Sequence, residues 1–196
     1  MTAKQLTPVL LAAVAAVAAA CRGGESGAGV PLPEAYPRMQ LYDADYAPAP
    51  GLPEIEVNVN ARTVARSGEF PALDIVYPRY NATVYLTVIP GLADVSRFGA
   101  VWEERRRRID NNLGGAGAVA EEITSQTDST YRSALVLSPS ATQTPVQLLA
   151  ASRERGTVVT ATAFLHTPVT SANLDSIAPV IGALAADLRH IALTLR

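Results

Sequence analysis

The sequence is poor in the residue types that most often build covalent and metal-binding sites. It has one cysteine, two histidines and a single lysine, Lys4, in 196 residues. One cysteine cannot form a disulfide within the chain, so the fold must be held by packing. A metal held by several cysteine ligands is excluded for the same reason. We therefore expect no disulfide, no metal and no cofactor.

Basic charge is scarce as well. Sixteen Lys and Arg residues are outnumbered by 18 Asp and Glu, which gives a net charge of −2. A nucleic-acid-binding domain would be basic, so we expect no nucleic-acid partner. The densest charge run, Glu103–Arg108, spreads around a helix and is expected to form a solvated face in which Glu and Arg three to four positions apart are partners. A patch for phosphate or an acidic partner is the alternative.

Sequence motifs of enzyme sites are also missing. No G-x-S-x-G, H-E-x-x-H, phosphate-loop or G-x-G-x-x-G pattern occurs. His190 is interpreted as a residue on the flank of a helix. His166 would need a carboxylate or hydroxyl within hydrogen-bond reach to act as a base, and Asp74 and Glu121 are candidates. We expect a protein that is not an enzyme, with no catalytic residue.

The start of the chain has the pattern of a lipoprotein signal. A short polar segment with Lys4 precedes the apolar run Pro8–Ala20, which is too short to span a bilayer. Small residues at Ala18–Ala20 come directly before Cys21, as in a signal peptide that is cut before a lipid-modified cysteine. We predict palmitate-type lipidation of Cys21 and anchoring of the exported protein to a bacterial membrane, with no later span. An ordinary signal peptide with a free thiol is the alternative.

The segment after the cysteine is predicted to be a tether. Residues 21–53 are rich in Pro and Gly, and their prolines disfavour a helix or a central strand. Tyr36, Arg38, Tyr42 and Tyr46 fall inside this segment. Because a passive spacer does not need several tyrosines, we expect this part to pack on the domain surface as an extended arm.

Residues 54–196 are predicted to form one globular α+β domain. Apolar residues at helical spacing predict helices over 92–113 and 176–195, the second with Ser176 as its N-cap. Alternating or β-branched runs predict strands at 54–60, 73–77, 83–89, 118–127, 130–137, 145–151 and 157–165. Short connections favour antiparallel neighbours, and each helix has one apolar stripe to bury. The predicted fold is a mainly antiparallel sheet covered by two amphipathic helices, an α/β sandwich.

A partner surface is predicted at the turn between the second and third of these strands. Tyr77, Arg79 and Tyr80 lie at this turn, and exposed aromatic residues on loops are good interface anchors. Together with Tyr36 and Arg38 of the arm they form the predicted surface. Plain packing of these side chains against the domain is the alternative.

Four segments together resemble one family, the GldD lipoproteins of gliding motility in Bacteroidetes-type bacteria. The segments are the lipoprotein cysteine Cys21, the arm at Tyr36–Arg38, the strand and turn Leu73–Tyr80, and the helix start Asn173–Ile181. The resemblance extends from end to end of the chain and is loosest over residues 93–116.

This resemblance implies a non-catalytic accessory lipoprotein of the outer membrane that works with other gliding and type IX secretion proteins of the envelope. It transfers no site residues. In bacteria of this type Asp128-Ser129-Thr130 has the form of an O-glycosylation acceptor, so Ser129 is a predicted modification site. The alternative function is a periplasmic or surface module that binds a lipid or a small apolar ligand.

Overall fold

The computed structural model describes residues 40–92, 94–112, 119–124, 131–138 and 140–195 of the chain. Within these ranges it has nine strands, one 3₁₀ turn at Pro78–Tyr80 and two helices. The helices are α1 (Val95–Asn112) and α2 (Leu174–Thr194). The strands are β1 (Tyr46–Ala49), β2 (Leu52–Asn58), β3 (Arg62–Arg66), β4 (Ala72–Tyr77), β5 (Ala82–Ile89), β6 (Val119–Thr124), β7 (Tyr131–Leu137), β8 (Val146–Ser152) and β9 (Thr157–Leu165).

Seven of these strands form one antiparallel sheet in the order β3-β4-β5-β9-β8-β7-β6. Most neighbours in the sheet are also neighbours in the chain, as short connections require. The exception is the central pair, in which β9 returns to lie beside β5 with Ala82 opposite Leu165 and Ile89 opposite Val158. Strands β1 and β2 form a separate antiparallel hairpin. The prediction of a mainly antiparallel sheet is confirmed.

Each face of the seven-stranded sheet is covered by one helix. Alternate residues of a strand point to opposite faces, so Leu148 and Leu149 of β8 belong to different cores. Leu148 packs in the core that contains α2 and the β1–β2 hairpin, whereas Leu149 packs in the core that contains α1. Trp102, which is 2% exposed, is the largest side chain that α1 contributes. The predicted sandwich of two helices on a sheet is therefore confirmed.

Helix α2 is long and apolar enough to cross a membrane when judged by length and composition alone. This corrects the expectation that no segment after the signal comes near that length. Its side chains Leu184, Leu188 and Ile191 are, however, buried in the core beneath the sheet. Burial of one apolar stripe against a sheet is the arrangement of a core helix in a globular domain.

Two strands and one helix start differ from the sequence prediction. Strand β1 lies within the segment predicted to be a tether, and its Pro48 is tolerated because the two-stranded hairpin offers an edge position. Strand β3 is an edge strand whose residues are mostly exposed, so it carries little apolar alternation. Helix α2 begins at Leu174 after Asn173, so Ser176 is not its N-cap and Pro179 lies inside the helix.

Candidate functional site

Four tyrosines from distant parts of the chain meet around one buried carboxylate. We call Tyr42, Tyr46, Tyr77 and Tyr80, together with Asp187 of α2, the tyrosine cluster. Tyr42 precedes β1, Tyr46 begins β1, Tyr77 ends β4 and Tyr80 lies in the 3₁₀ turn. The cluster thus joins the first described residues of the chain to the β4–β5 turn and to the last helix.

Local sequence explains why Tyr77 and Tyr80 point inward. Strand β4 alternates, so Tyr77 shares its buried face with Leu73 and Ile75. Pro78 then starts a 3₁₀ turn, and Asn81 ends it with a positive φ of 47°, a conformation that Asn tolerates better than most residues. This tight turn brings the Tyr80 ring back over the sheet, where it is 5% exposed.

The rings of the cluster pack directly on one another. Tyr77 and Tyr80 stack with ring centroids 5.7 Å apart, and Tyr42 lies 4.8 Å from Tyr80 in a tilted arrangement. The backbone N–H of Tyr42 donates to the Tyr80 hydroxyl at 2.6 Å. The Arg79 guanidinium lies 4.6 Å from the centre of the Tyr42 ring, within the range of a cation–π contact. These contacts fasten the segment before β1 to the β4–β5 turn.

Asp187 is the polar centre of the cluster. It is 6% exposed, and it accepts a hydrogen bond of 2.8 Å from the Tyr46 hydroxyl. Burial raises the pKa of Tyr77 well above its usual value, and the negative charge of Asp187 and a hydrogen bond to it raise this pKa further. Burial also raises the pKa of Tyr46, again with help from Asp187. The phenols therefore stay protonated, and they satisfy a carboxylate that would be costly to bury alone.

His190 lies at the edge of the cluster, one helical turn after Asp187 in α2. Its ring stacks on Tyr46 with centroids 3.7 Å apart, and its Nε2 lies 2.9 Å from Glu56 Oε2. Both of these side chains are partly exposed. His190 thus lies on the flank of the helix, as expected, and it ties α2 to the β1–β2 hairpin.

His166 lies elsewhere, at the end of β9, and it has a hydroxyl partner. Its Nε2 is 2.9 Å from Thr83 Oγ1. Of the two candidate partners, Asp74 forms an ion pair with Arg66 instead, and the Glu121 side chain lies outside the described part of the chain. A hydroxyl within reach is the minimum that a general base needs. Thr83 is only 6% exposed, however, which leaves its hydroxyl little access to a substrate.

Comparison with known protein families decides what kind of protein this is. The sequence model of the family described as gliding motility lipoprotein GldD matches residues 26–196. The chain belongs to the GldD family. No curated protein and no solved structure matches it. Membership in a lipoprotein family implies association with a membrane and a place in the cell envelope.

The predicted surface of this GldD-family protein is corrected at two of its residues. Tyr77 and Tyr80 are 1% and 5% exposed, so their rings do not project as interface anchors. They pack inside the domain, which was the alternative interpretation. Arg79 lies at the same turn and is exposed, so among the described residues of the predicted surface it is the one that a partner could reach. Cys21, Tyr36, Arg38 and Ser129 lie outside the described residues.

No sequence motif predicts the contacts of Asp187 with Tyr46 and Tyr77. Asp187 stands on the apolar stripe of α2 between Leu184 and Ile191, where a charged residue needs a partner. The position indicates that Asp187 needs a partner, but it does not indicate which one, because the partners are tyrosines about 110 and 140 positions away in the chain. Among the described residues of this GldD-family protein, no three His, Cys, Asp or Glu side chains come together as a metal site requires.

The raised tyrosine pKa values predict alkaline unfolding of this GldD-family protein. In the unfolded chain a tyrosine loses its proton at about pH 10. Above that pH the unfolded state binds fewer protons than the native state, so the free energy of unfolding falls, by up to about 1.4 kcal/mol per pH unit for one fully buried phenol. Below that pH the stabilisation is fully present. Lys4 is the sole lysine of the chain, so lysine titration contributes little in this range.

Urea unfolding followed by circular dichroism between about pH 8 and 11 measures this effect. We expect a plateau on the acidic side of that range and a steady fall on the alkaline side. In Tyr77→Phe the fall should be shallower because one buried phenol is gone. Equal slopes in the two proteins would show that the cluster does not control the alkaline limit.

Proposed function

We propose that this protein is a non-catalytic accessory component of the gliding motility and type IX secretion machinery, held at the outer membrane by lipid on Cys21. The match to the GldD lipoproteins over residues 26–196 carries the proposal. Two contacts support a structural role for the polar residues. His190 holds the helix to a hairpin through Glu56, and Asp187 is taken up by Tyr46.

In this proposal the tyrosine cluster holds the segment that connects the lipid anchor to the domain. A lipid-anchored protein transmits force between its anchor and its domain through the chain that follows the modified cysteine. Tyr42 and Tyr46 lie on that path, and they are held by Tyr80, Arg79 and Asp187. We propose that the cluster fixes the point at which the tether leaves the domain. The exposed Arg79 then remains, with Tyr36 and Arg38, as the proposed surface for another envelope protein.

Two cavities among the described residues do not favour the alternative of a lipid-binding module. Ligand pockets for molecules of drug or lipid size occupy about 300–1,000 Å³ and are mostly apolar. A cavity beside α1 has a volume of about 140 Å³, and most of the residues that line it are Arg, Asn, Gln and Thr. Another of about 100 Å³ lies between Pro50 and the β3–β4 connection. Neither has the size that an acyl chain needs.

Replacing Cys21 tests the anchor and the role together. In cells that lack the native gene, we expect Cys21→Ser to lose palmitate labelling, to leave the membrane fraction and to fail to restore colony spreading and type IX secretion. Ser26→Ala, a small change in the same segment, should restore all of them. Membrane retention and full motility in Cys21→Ser would contradict the proposal.

A second variant separates an accessory role from an enzymatic one. His166→Ala removes the ring that pairs with Thr83. If the protein is not an enzyme, this variant should restore motility and secretion at the wild-type level provided that it is present in equal amount. Loss of function at equal abundance would favour catalysis by His166.

A further inference from the structure

A polar cleft lies between the second half of α1 and strands β8 and β9. Its volume is about 140 Å³. The Leu148 and Ala161 side chains point to the other face of the sheet, so these residues line the floor with their backbone, and the Ile109 side chain of α1 forms part of the wall. The polar residues that line it are Arg105, Arg108, Asn112, Gln147, Thr160 and Thr162.

Two hydrogen-bond donors in this cleft have no partner among the described residues. Gln147 is 3% exposed, and its Nε2 is buried with no acceptor from that part of the chain. The Nε of Arg105 is buried and likewise has no acceptor there. Buried polar groups are paired in the great majority of native proteins, so two orphaned donors that line one cleft call for an acceptor that enters it.

The fold itself brings these donors together. Arg105 and Arg108 are three positions apart on α1, so they project from neighbouring positions on one helix face. Gln147 of β8 lies directly opposite Thr162 of β9 in the sheet register. Four consecutive residues of a helix cannot share one face, so the four arginines of α1 point in different directions. Arg105 and Arg108 line the cleft, whereas Arg106 and Arg107 do not.

The charge of the cleft favours an anion. Arg108 forms an ion pair with Glu104, and Arg106 forms one with Asp110. No such pair is described for Arg105 within the part of the chain that the structure covers, so its positive charge is the one left for a ligand. Guanidinium groups bind carboxylate and phosphate oxygens through parallel N–H donors. Threonine hydroxyls and the Gln147 amide supply further donors.

We propose that this cleft binds a small oxyanion, a carboxylate or a phosphate group, between Arg105 and Gln147. The size of the cleft restricts the bound part to one such group, which can belong to a free ion or to the end of a larger molecule. The function of the site goes beyond lipid anchoring and does not depend on the role in motility. An ordered water molecule is the competing occupant.

Thermal unfolding of the full-length lipoprotein in a maltoside detergent tests the proposal. Sodium phosphate, sodium acetate and sodium chloride are compared at equal ionic strength. We expect an oxyanion at several times its Kd to raise Tm by about 2–4 °C over chloride. Phosphate alone, acetate alone or both support the proposal, and the pattern identifies the group.

Variants separate the site from a general salt effect. Arg105→Gln and Gln147→Leu should each weaken anion binding about tenfold, the loss expected for one charge-assisted or buried hydrogen bond. Arg107→Gln makes the same charge change at an exposed position of α1 that does not line the cleft. It should keep the wild-type response. Equal responses in all four proteins, or no difference between oxyanions and chloride, would leave only water in the cleft and overturn the proposal.

Discussion

Replacing Tyr77 with Ala is expected to lower the free energy of unfolding by about 3–5 kcal/mol. The side chain is 1% exposed, so its removal leaves a cavity in the core. The variant also removes the ring that stacks on Tyr80 at 5.7 Å and a phenol that supports Asp187. Urea unfolding at neutral pH, followed by circular dichroism, measures the change. A loss of this size is a large fraction of the total stability of a typical domain.

Two controls locate the cause of this loss. Tyr77→Phe keeps the ring and removes the hydroxyl, so it should cost about 1–2 kcal/mol, the contribution of one hydrogen bond to a carboxylate. Arg79→Ala, in the adjacent exposed position, should cost less than about 1 kcal/mol. A Tyr77→Ala protein as stable as Arg79→Ala would contradict the burial of this ring.

This result changes how a partner surface at the β4–β5 turn can be tested. Paired alanine substitutions at Tyr77 and Tyr80 would remove two buried rings and unfold much of the domain. Lost binding in such a protein would say nothing about contact with a partner. Arg79→Ala leaves the core intact, so a pull-down from detergent-solubilised membranes with this variant reports on the surface itself.

The fold could be predicted from the sequence where each element carries its own pattern. In α2 the residues Leu184, Leu188 and Ile191 recur at helical spacing, and they form the buried stripe in the structure. In β4 the alternation of Leu73, Ile75 and Tyr77 gives both the strand and its inward face. These signals are local, because a helix or strand with one buried face repeats with its own period.

Elements without such a pattern escaped prediction. Strand β1 contains Pro48 and is paired on one side by β2, so its stability depends on a partner and not on its own sequence. Strand β3 is an exposed edge. The contact of Tyr46 with Asp187 joins residues 141 positions apart. A contact of this kind depends on the whole topology, which a periodic pattern does not encode.

The burial of two predicted interface tyrosines has the same origin. Sequence alone showed aromatic residues at a turn, and such residues are exposed on many loops. Here the 3₁₀ turn at Pro78–Tyr80 folds back, and Tyr42 from the preceding segment covers Tyr80 at 4.8 Å. The arm and the turn each carry tyrosines in the sequence, but no local pattern predicts that these tyrosines contact each other. Their joint role is to hold the two segments together.

Replacing Asp187 with Ala is expected to cost about 3 kcal/mol of unfolding free energy, because it leaves two phenol hydroxyls without their acceptor in a buried site. Tyr46 donates to this carboxylate at 2.8 Å, and Tyr77 is hydrogen-bonded to it as well. The same variant removes a negative charge that raises the pKa of both tyrosines. Burial still raises both pKa values, so the alkaline fall in stability should remain but end at a lower pH and be smaller in total, even though the protein is less stable at neutral pH.

Asp187→Asn separates the charge from the hydrogen bond. The amide oxygen still accepts, so we expect a smaller loss of about 1–2 kcal/mol at neutral pH, but the same reduction in the total alkaline fall as in Asp187→Ala. Asp175→Ala, an exposed carboxylate in the first turn of the same helix, should cost at most about 1 kcal/mol and leave the alkaline slope unchanged. If Asp187→Ala behaves like Asp175→Ala in both measurements, Asp187 does not hold the cluster together. If it behaves as expected, the tyrosine cluster is held by a carboxylate that stays buried because its phenol partners stay protonated.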